Sequence, residues 1–158
     1  MQRRTAVRKA LLREMVYREV SEAGCAAFSV LMERLHVKHN ELSYVLDKLK
    51  EEGRVESIYL GRIALWCTNR AAAEEVLVAL MEALKKVLCG RVKFATPKEA
   101  LQLIAKDKEA QRLFSRHTTL RSNPTTVQVI DTLMQQAFGQ PIRTSREHIY
   151  YVVCRKTA

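Results

Sequence analysis

Apolar residues recur at three- and four-residue steps through the first fifty positions, which is the spacing of amphipathic helices. The spacing predicts three helices, over about 5–23, about 27–35 and about 38–52. The first has a broad expected apolar face: Leu11, Leu12, Met15, Val16 and Val20. The third has a single clean stripe: Leu42, Val45, Leu46 and Leu49. Its other faces are polar and Gly53 ends it, so we expect a small helical core whose third helix keeps a polar outer surface.

After Gly53 the pattern changes to strand-forming residues. Residues 55–60 and 63–67 are rich in β-branched and aromatic side chains and flank Gly61-Arg62, which predicts a β-hairpin with a two-residue turn. Asn69 then stands at the capping position of a long helix over 70–88. One side of that helix is apolar along its whole length, more than a three-helix core can cover. We therefore expect it to pack on the C-terminal half or on a second copy of the chain.

The second half contains two helix start signals. "TPKE", residues 96–99, is typical of a capping box with proline in the first turn, and Asn123-Pro124 repeats the cap and proline. They predict helices over 97–105 and 124–138, with residues 108–114 as a continuation or a further turn. The polar residues 115–122 are expected to form a loop. Residues 141–154 predict a second hairpin, with a turn at 144–147 and a strand at 148–154 that places Tyr150 and Tyr151 on opposite faces.

Residues 26–68 follow the order helix, break, helix and two-stranded ribbon, and they resemble the winged helix-turn-helix superfamily. Val37 occupies the apolar position in the turn, and "LKEEGRV", residues 49–55, leads into the wing. His36 stands where many members have Gly, and Lys38 where many have a Ser cap. The expected class is α+β, mainly α with small β-hairpins. A winged helix at 1–89, including the long helix, precedes a smaller C-terminal domain at 90–158, either α/β or a divergent winged helix.

The resemblance implies that the helix at about 38–52 enters the major groove of duplex DNA with its N-terminal part. The side chains left outside the apolar stripe, together with one residue at the apex of the wing, are the expected nucleic-acid contacts: Lys38, His39, Asn40, Ser43, Tyr44, Lys48 and Arg62. Asn pairs with adenine, Lys donates to guanine, and Ser can form a hydrogen bond with either base. Glu41 and Asp47 oppose a purely electrostatic surface.

The charge of the chain favours a polyanionic partner, because the sequence has 27 Lys and Arg but only 17 Asp and Glu, which gives a net charge of +10. The N-terminal basic residues are either a phosphate-contacting arm or a solvated end: Arg3, Arg4, Arg8, Lys9 and Arg13. A second basic group forms a patch if its segments lie side by side: Arg112, Arg116, His117, Arg121, Arg143 and Arg146.

The expected function is thus DNA binding in transcription regulation, by a homodimer formed through the 70–88 helix or the C-terminal half. The alternative is a winged helix that binds protein, as an assembly subunit of a nucleic-acid-processing machine. We expect no enzyme, since the chain has no glycine-rich phosphate loop, paired-carboxylate site or nucleophile elbow. No cofactor or metal is expected either, because His36 and His39 lack a full set of further ligands.

The remaining sequence features concern location and redox state. No apolar run approaches the roughly 20 residues of a membrane span, and charges interrupt the N-terminus where a signal peptide is apolar, so we expect a cytoplasmic protein. The four cysteines form no CxxC motif, which favours buried free thiols: Cys25, Cys67, Cys89 and Cys154. A structural disulfide stays open if the source is a hyperthermophile.

Overall fold

The computed structural model describes residues 2–121 and 123–154, with side chains from residue 8 onward. Within these residues the chain forms seven helices and six short strands. In chain order they are α1 (Gln2–Ala23), β1 (Cys25–Ala27), α2 (Phe28–Leu35), α3 (His39–Glu51), β2 (Glu56–Leu60), β3 (Ile63–Cys67), α4 (Arg70–Leu88), β4 (Phe94–Ala95), α5 (Pro97–Lys106), α6 (Lys108–His117), α7 (Pro124–Phe138), β5 (Ile142–Arg143) and β6 (His148–Tyr151). The expected α+β class, mainly helical with small antiparallel sheets, is confirmed.

The chain divides into two compact units that do not follow chain order. The first contains the residues up to Tyr59, then Ala64–Val76 and Arg116–Thr118. The second contains Leu60–Ile63, Leu77–Ser115 and the described residues from Thr119 onward. The α4 helix is thereby shared between the units, and the expected domains 1–89 and 90–158 stay a prediction.

The core of the first unit is built by α1 and α3. The predicted stripe of α3 is confirmed, since Leu42, Leu46 and Leu49 have no exposed surface and Val45 only 3%. On α1, Leu12, Val16 and Val20 are buried, but Leu11 and Met15 are 60% and 49% exposed. The predicted apolar face of α1 was therefore too wide. Neighbouring helical residues point about 100° apart, so Leu11 and Leu12 cannot both face one narrow contact.

The first sheet contains a strand that the pattern did not predict. β1 pairs antiparallel with β3, in the sheet order β1-β3-β2, with Cys25 opposite Cys67 and Ala26 opposite Trp66. All three residues of β1 are buried, so they show no alternation of polar and apolar positions. A strand of three residues that is buried on both faces shows no periodic pattern in the sequence.

Two disulfides join the cysteines, so the expectation of free thiols was wrong. Cys25 and Cys67 bond across the β1–β3 pair, with their Cα atoms 4.0 Å apart. Cys89, after α4, bonds to Cys154, after β6, with a Cα separation of 5.7 Å. In the described part of the chain no cysteine remains free. Each bond joins residues distant in sequence, 42 and 65 positions apart.

The second unit confirms both predicted helix starts. Thr96 and Glu99 form a reciprocal capping box, and the Asn123 side chain accepts from the Thr126 amide at 2.8 Å. The second sheet has the order β4-β6-β5, which repeats the order of the first. The elements from α4 to β6 likewise repeat the sequence from α1 to β3, namely a helix, a strand, further helices and two strands.

The prediction of a loop over 115–122 is wrong for its first three residues. The α6 helix continues through His117, and both His117 and Thr118 are buried, with 3% exposure each. His117 Nδ1 lies 2.7 Å from the carbonyl oxygen of Cys25, which belongs to the same unit. A carbonyl can only accept, so Nδ1 carries the hydrogen. None of the described helices combines the length and apolarity that a membrane crossing requires.

Candidate nucleic-acid interface

The connection between α2 and α3 uses two unusual residues. His36 ends α2 in the left-handed conformation, with φ 52° and ψ 47°, so it adopts the backbone state that the expected glycine supplies without strain. Lys38 is the N-cap of α3, and its side chain makes no capping hydrogen bond. An ammonium group can only donate, so it cannot accept from the first helical amides. The N-terminus of α3 thus keeps its partial positive charge without a side-chain acceptor from its cap.

The outer surface of α3 gathers six of the seven predicted contacts. Lys38, His39 and Asn40 are exposed, and Tyr44 is 48% exposed. Ser43 and Lys48 are half-buried. Since the apolar stripe takes the opposite side of the helix, the polar side chains of its first two turns are directed to solvent.

Tyr44 is the centre of this surface. Lys9 Nζ of α1 lies 5.2 Å from the centroid of the Tyr44 ring, and Lys48 Nζ lies 5.6 Å from it. Both distances are within the range of cation–π attraction. The ring therefore holds two ammonium groups near one another on the outer surface of the first unit.

A groove of about 360 Å³ runs between α1 and α3 in the first unit. It is lined by Arg8, Lys9, Leu12, Asn40, Glu41, Tyr44 and Val45. Arg8 faces Glu41 at 3.6 Å, so the one carboxylate in the groove is met by a guanidinium. The sequence singled out Arg8 and Lys9 as an N-terminal basic group but not as neighbours of α3. Their spacing was a usable signal, because they lie four and three residues before the buried Leu12.

Several predicted contacts have other neighbours. The His39 ring packs at 4.7 Å from the ring of Phe28, and Lys48 pairs with Glu51 at 3.4 Å. Arg13 donates to Glu52 at 2.7 Å, so this member of the N-terminal basic group joins α1 to the end of α3. Nearby, Arg54 donates to Glu14 at 3.0 Å, and this hydrogen bond lowers the pKa of the Glu14 carboxyl. The side chains of Arg3 and Arg4 lie outside the described residues.

Arg62 is exposed, but it belongs to the second unit and is not grouped with the α3 side chains. Gly61 beside it has φ +67° and approaches the backbone of Gln128 so closely that an added Cβ would lie 3.2 Å from its carbonyl. The second basic group is also divided. Arg116 and His117 belong to the first unit and the others to the second, and His117 is buried, so it contributes no surface charge.

The comparisons with known proteins bear on the fold. No family model and no curated protein matches the sequence. The crystal structure of a hypothetical protein from Pyrobaculum spherical virus is similar, with a TM-score of 0.88 over 94% of this chain and 99% of that chain. The two sequences are 23% identical, so the likeness shows a shared fold and carries no function.

Proposed function

We propose that this protein binds duplex DNA as a winged-helix transcriptional regulator, with α3 in the major groove. One observation carries the proposal. Helix α3 buries its whole apolar stripe and presents Lys38, Asn40 and Tyr44 beside two further cations of α1, Arg8 and Lys9. A helix that projects polar side chains from its first turns, with cations alongside, has the arrangement by which such helices contact bases and phosphates.

The side chains suit separate roles in that complex. Asn40 offers the paired donor and acceptor that adenine requires, and Lys38 donates to guanine. Arg8 and Lys9 contact phosphates, which fixes the register of the protein on the duplex but carries no sequence information. Arg62, in the turn of the β2–β3 hairpin, is also an exposed cation, but it belongs to the second unit and no DNA contact is assigned to it.

A protein-binding role in an assembly is the second candidate, and one observation favours it. Leu11 and Met15 are one turn apart on α1 and are 60% and 49% exposed. Two large apolar side chains on adjacent turns of one helix are a typical anchor for a partner protein. Such a contact is hydrophobic and its affinity changes little with salt.

The test is a fluorescence anisotropy titration of labelled duplex at low and physiological salt. Asn40→Ala should weaken binding about tenfold, since one bidentate base contact contributes about 1–3 kcal/mol. Tyr44→Ala should also weaken it, because the ring holds the ammonium groups of Lys9 and Lys48 in place. The melting temperature should stay nearly unchanged because both side chains are exposed. Binding should also fall by orders of magnitude as salt rises.

Gln102→Ala is the matched control, because Gln102 is an exposed side chain of α5 and lies outside both the groove and the β2–β3 hairpin. It should bind duplex like the unmodified protein. Equal affinity for all three variants would refute the assignment of α3. Salt-independent binding of a partner that Leu11→Ser and Met15→Ser abolish would instead support the assembly role.

A further inference from the structure

Glu41 is the acidic residue in the first turn of α3, three positions after the Lys38 cap. A glutamate at this position of a capping box turns back and accepts from the amide of the cap residue. Glu99 does so in α5, where its Oε1 accepts from the Thr96 amide at 3.3 Å. Among the described residues, the Glu41 carboxylate instead pairs only with the Arg8 guanidinium, at 3.6 Å. Glu41 therefore does not fill in α3 the capping role that Glu99 has in α5.

The Glu41 side chain lies on the side of α3 that lines the groove with α1. Glu41, Tyr44 and Lys48 follow at steps of three and four residues, so they share one side of the helix. Glu41 and Asn40 both line the groove, and 35% of the Glu41 side chain is exposed. A molecule that contacts Asn40 and Tyr44 there also meets the Glu41 carboxylate.

The ion pair with Arg8 leaves this carboxylate able to accept hydrogen bonds. The separation of 3.6 Å is longer than a hydrogen bond, so the oxygens of Glu41 keep their acceptor sites. The Arg8 side chain is 77% exposed and has several donors, so it can contact a phosphate and still offset the charge of Glu41. An unpaired carboxylate would repel the phosphates of a duplex, whereas this paired one is tolerated beside them.

An ionised carboxylate discriminates between bases because it can only accept hydrogen bonds. In the major groove, cytosine presents only the donor of its amino group, whereas guanine presents two acceptors and thymine one. Adenine has an amino donor beside the acceptor N7, and that acceptor repels a carboxylate. Cytosine is therefore the base whose edge a carboxylate complements. We propose that Glu41 selects a cytosine in the DNA target. This inference rests on the proposed function and names one base of the site that α3 contacts.

The experiment selects the duplexes that the full chain binds from a library with a randomised central segment, and sequences them. Sites selected by the unmodified protein should contain one position where cytosine is preferred over thymine by about tenfold. Glu41→Gln keeps the length of the side chain but adds a donor, and glutamine pairs with adenine through two hydrogen bonds. This variant should therefore change the preference at that position from cytosine to adenine and leave the other positions as they are.

Asp47→Asn is the matched control, because it removes the same charge from α3 at an exposed residue that does not line the groove. It should leave every base preference unchanged. Glu41→Ala has no acceptor at this place, so it should bind the cytosine and thymine duplexes about equally in an anisotropy titration. Thermal melts followed by circular dichroism check that each variant is folded.

Duplex binding without a cytosine preference, an unchanged preference in Glu41→Gln, or the same change in Asp47→Asn would each overturn the proposal. A lower melting temperature of Glu41→Gln with an unchanged base preference would assign the residue to the stability of the α3 start instead. If the unmodified protein binds no duplex, the proposed function fails as well. Duplex binding with an unchanged preference removes only the role of Glu41, so the two failures are distinguishable.

Discussion

The two halves of the chain repeat one order of elements and place different chemistry on it. In the first half, helix α3 carries a polar and basic outer surface, and the strands β1 and β3 are largely buried. In the second half, the corresponding helix α7 contains neither Lys nor Arg, and the sheet instead exposes the aromatic side chains of Phe94 and Tyr151. The shared topology therefore does not determine which element carries a functional surface. The side chains determine it.

The halves also differ in how their strands are fastened. Cys25 and Cys67 have no exposed surface, so the first disulfide lies inside its unit. In the second, Cys89 is half-buried and Cys154 is exposed. The second sheet is further tied to α7 by the contacts of Tyr150 and His148 with Asp131. The two disulfides thus differ in how far they are buried, and the second sheet has further polar bonds to α7.

The largest expected effect is the loss of a disulfide. Cys25→Ala/Cys67→Ala and Cys89→Ala/Cys154→Ala should each lower the free energy of unfolding by about 4 kcal/mol, from the entropy of loop closure. The sequence separations of 42 and 65 residues change this value little, because the dependence is logarithmic. Denaturant unfolding followed by circular dichroism measures both losses.

The two disulfides should contribute about equally to stability but should differ in how easily they are reduced. A mild thiol reductant, followed by alkylation and mass spectrometry, should open Cys89–Cys154 first because Cys154 is exposed. The Cys25–Cys67 bond should open only as the first unit unfolds. Simultaneous reduction, or prior loss of the buried bond, would contradict this difference between the halves.

The helices were predictable because their signals are local. Residues 70–88 and 124–138 form helices with the predicted bounds, and the capping box at Thr96 is confirmed. The alternation of Tyr150 and Tyr151 also held, since Tyr150 is buried and Tyr151 is exposed. A regular period, a cap and a proline are each readable within a few residues.

The features that the sequence did not yield depend on pairing across long separations. β1 has three residues and no period, and its pairing with β3 is what brings Cys25 to Cys67. His117 sits in a polar stretch, and the carbonyl that its ring contacts is 92 positions away in the sequence. The contact between the rings of Phe94 and Tyr151 likewise depends on the register of β4 and β6.

A smaller effect concerns the second unit, whose contribution to the free energy of unfolding should fall at alkaline pH. Burial, and then the bond to Asp131, raise the pKa of the Tyr150 hydroxyl well above its ordinary value. The unfolded chain ionises this group from about pH 10, where the folded chain does not, so stability present below that pH is lost as pH rises further. Tyr150→Phe should lower the free energy of unfolding by about 2 kcal/mol at neutral pH and remove this alkaline component. Denaturant titrations across pH measure both, with Tyr59→Phe as the exposed control.

The smallest effect concerns the first unit, where stability is lost as pH falls rather than as it rises. Burial lowers the pKa of the His117 imidazole, and this effect outweighs the hydrogen bond to the Cys25 carbonyl, which acts in the opposite direction. Below about pH 6.5 the unfolded chain takes up a proton that the folded chain refuses, so stability present above that pH is lost as pH falls. His117→Asn keeps a donor for the carbonyl but cannot titrate. This variant should lower the free energy of unfolding by about 1 kcal/mol at neutral pH. It should also remove the loss of stability on the acid side of the plot of that free energy against pH. Tyr150→Phe should keep the acid component in full, and a profile that both variants alter alike would show that the two units do not respond to pH separately.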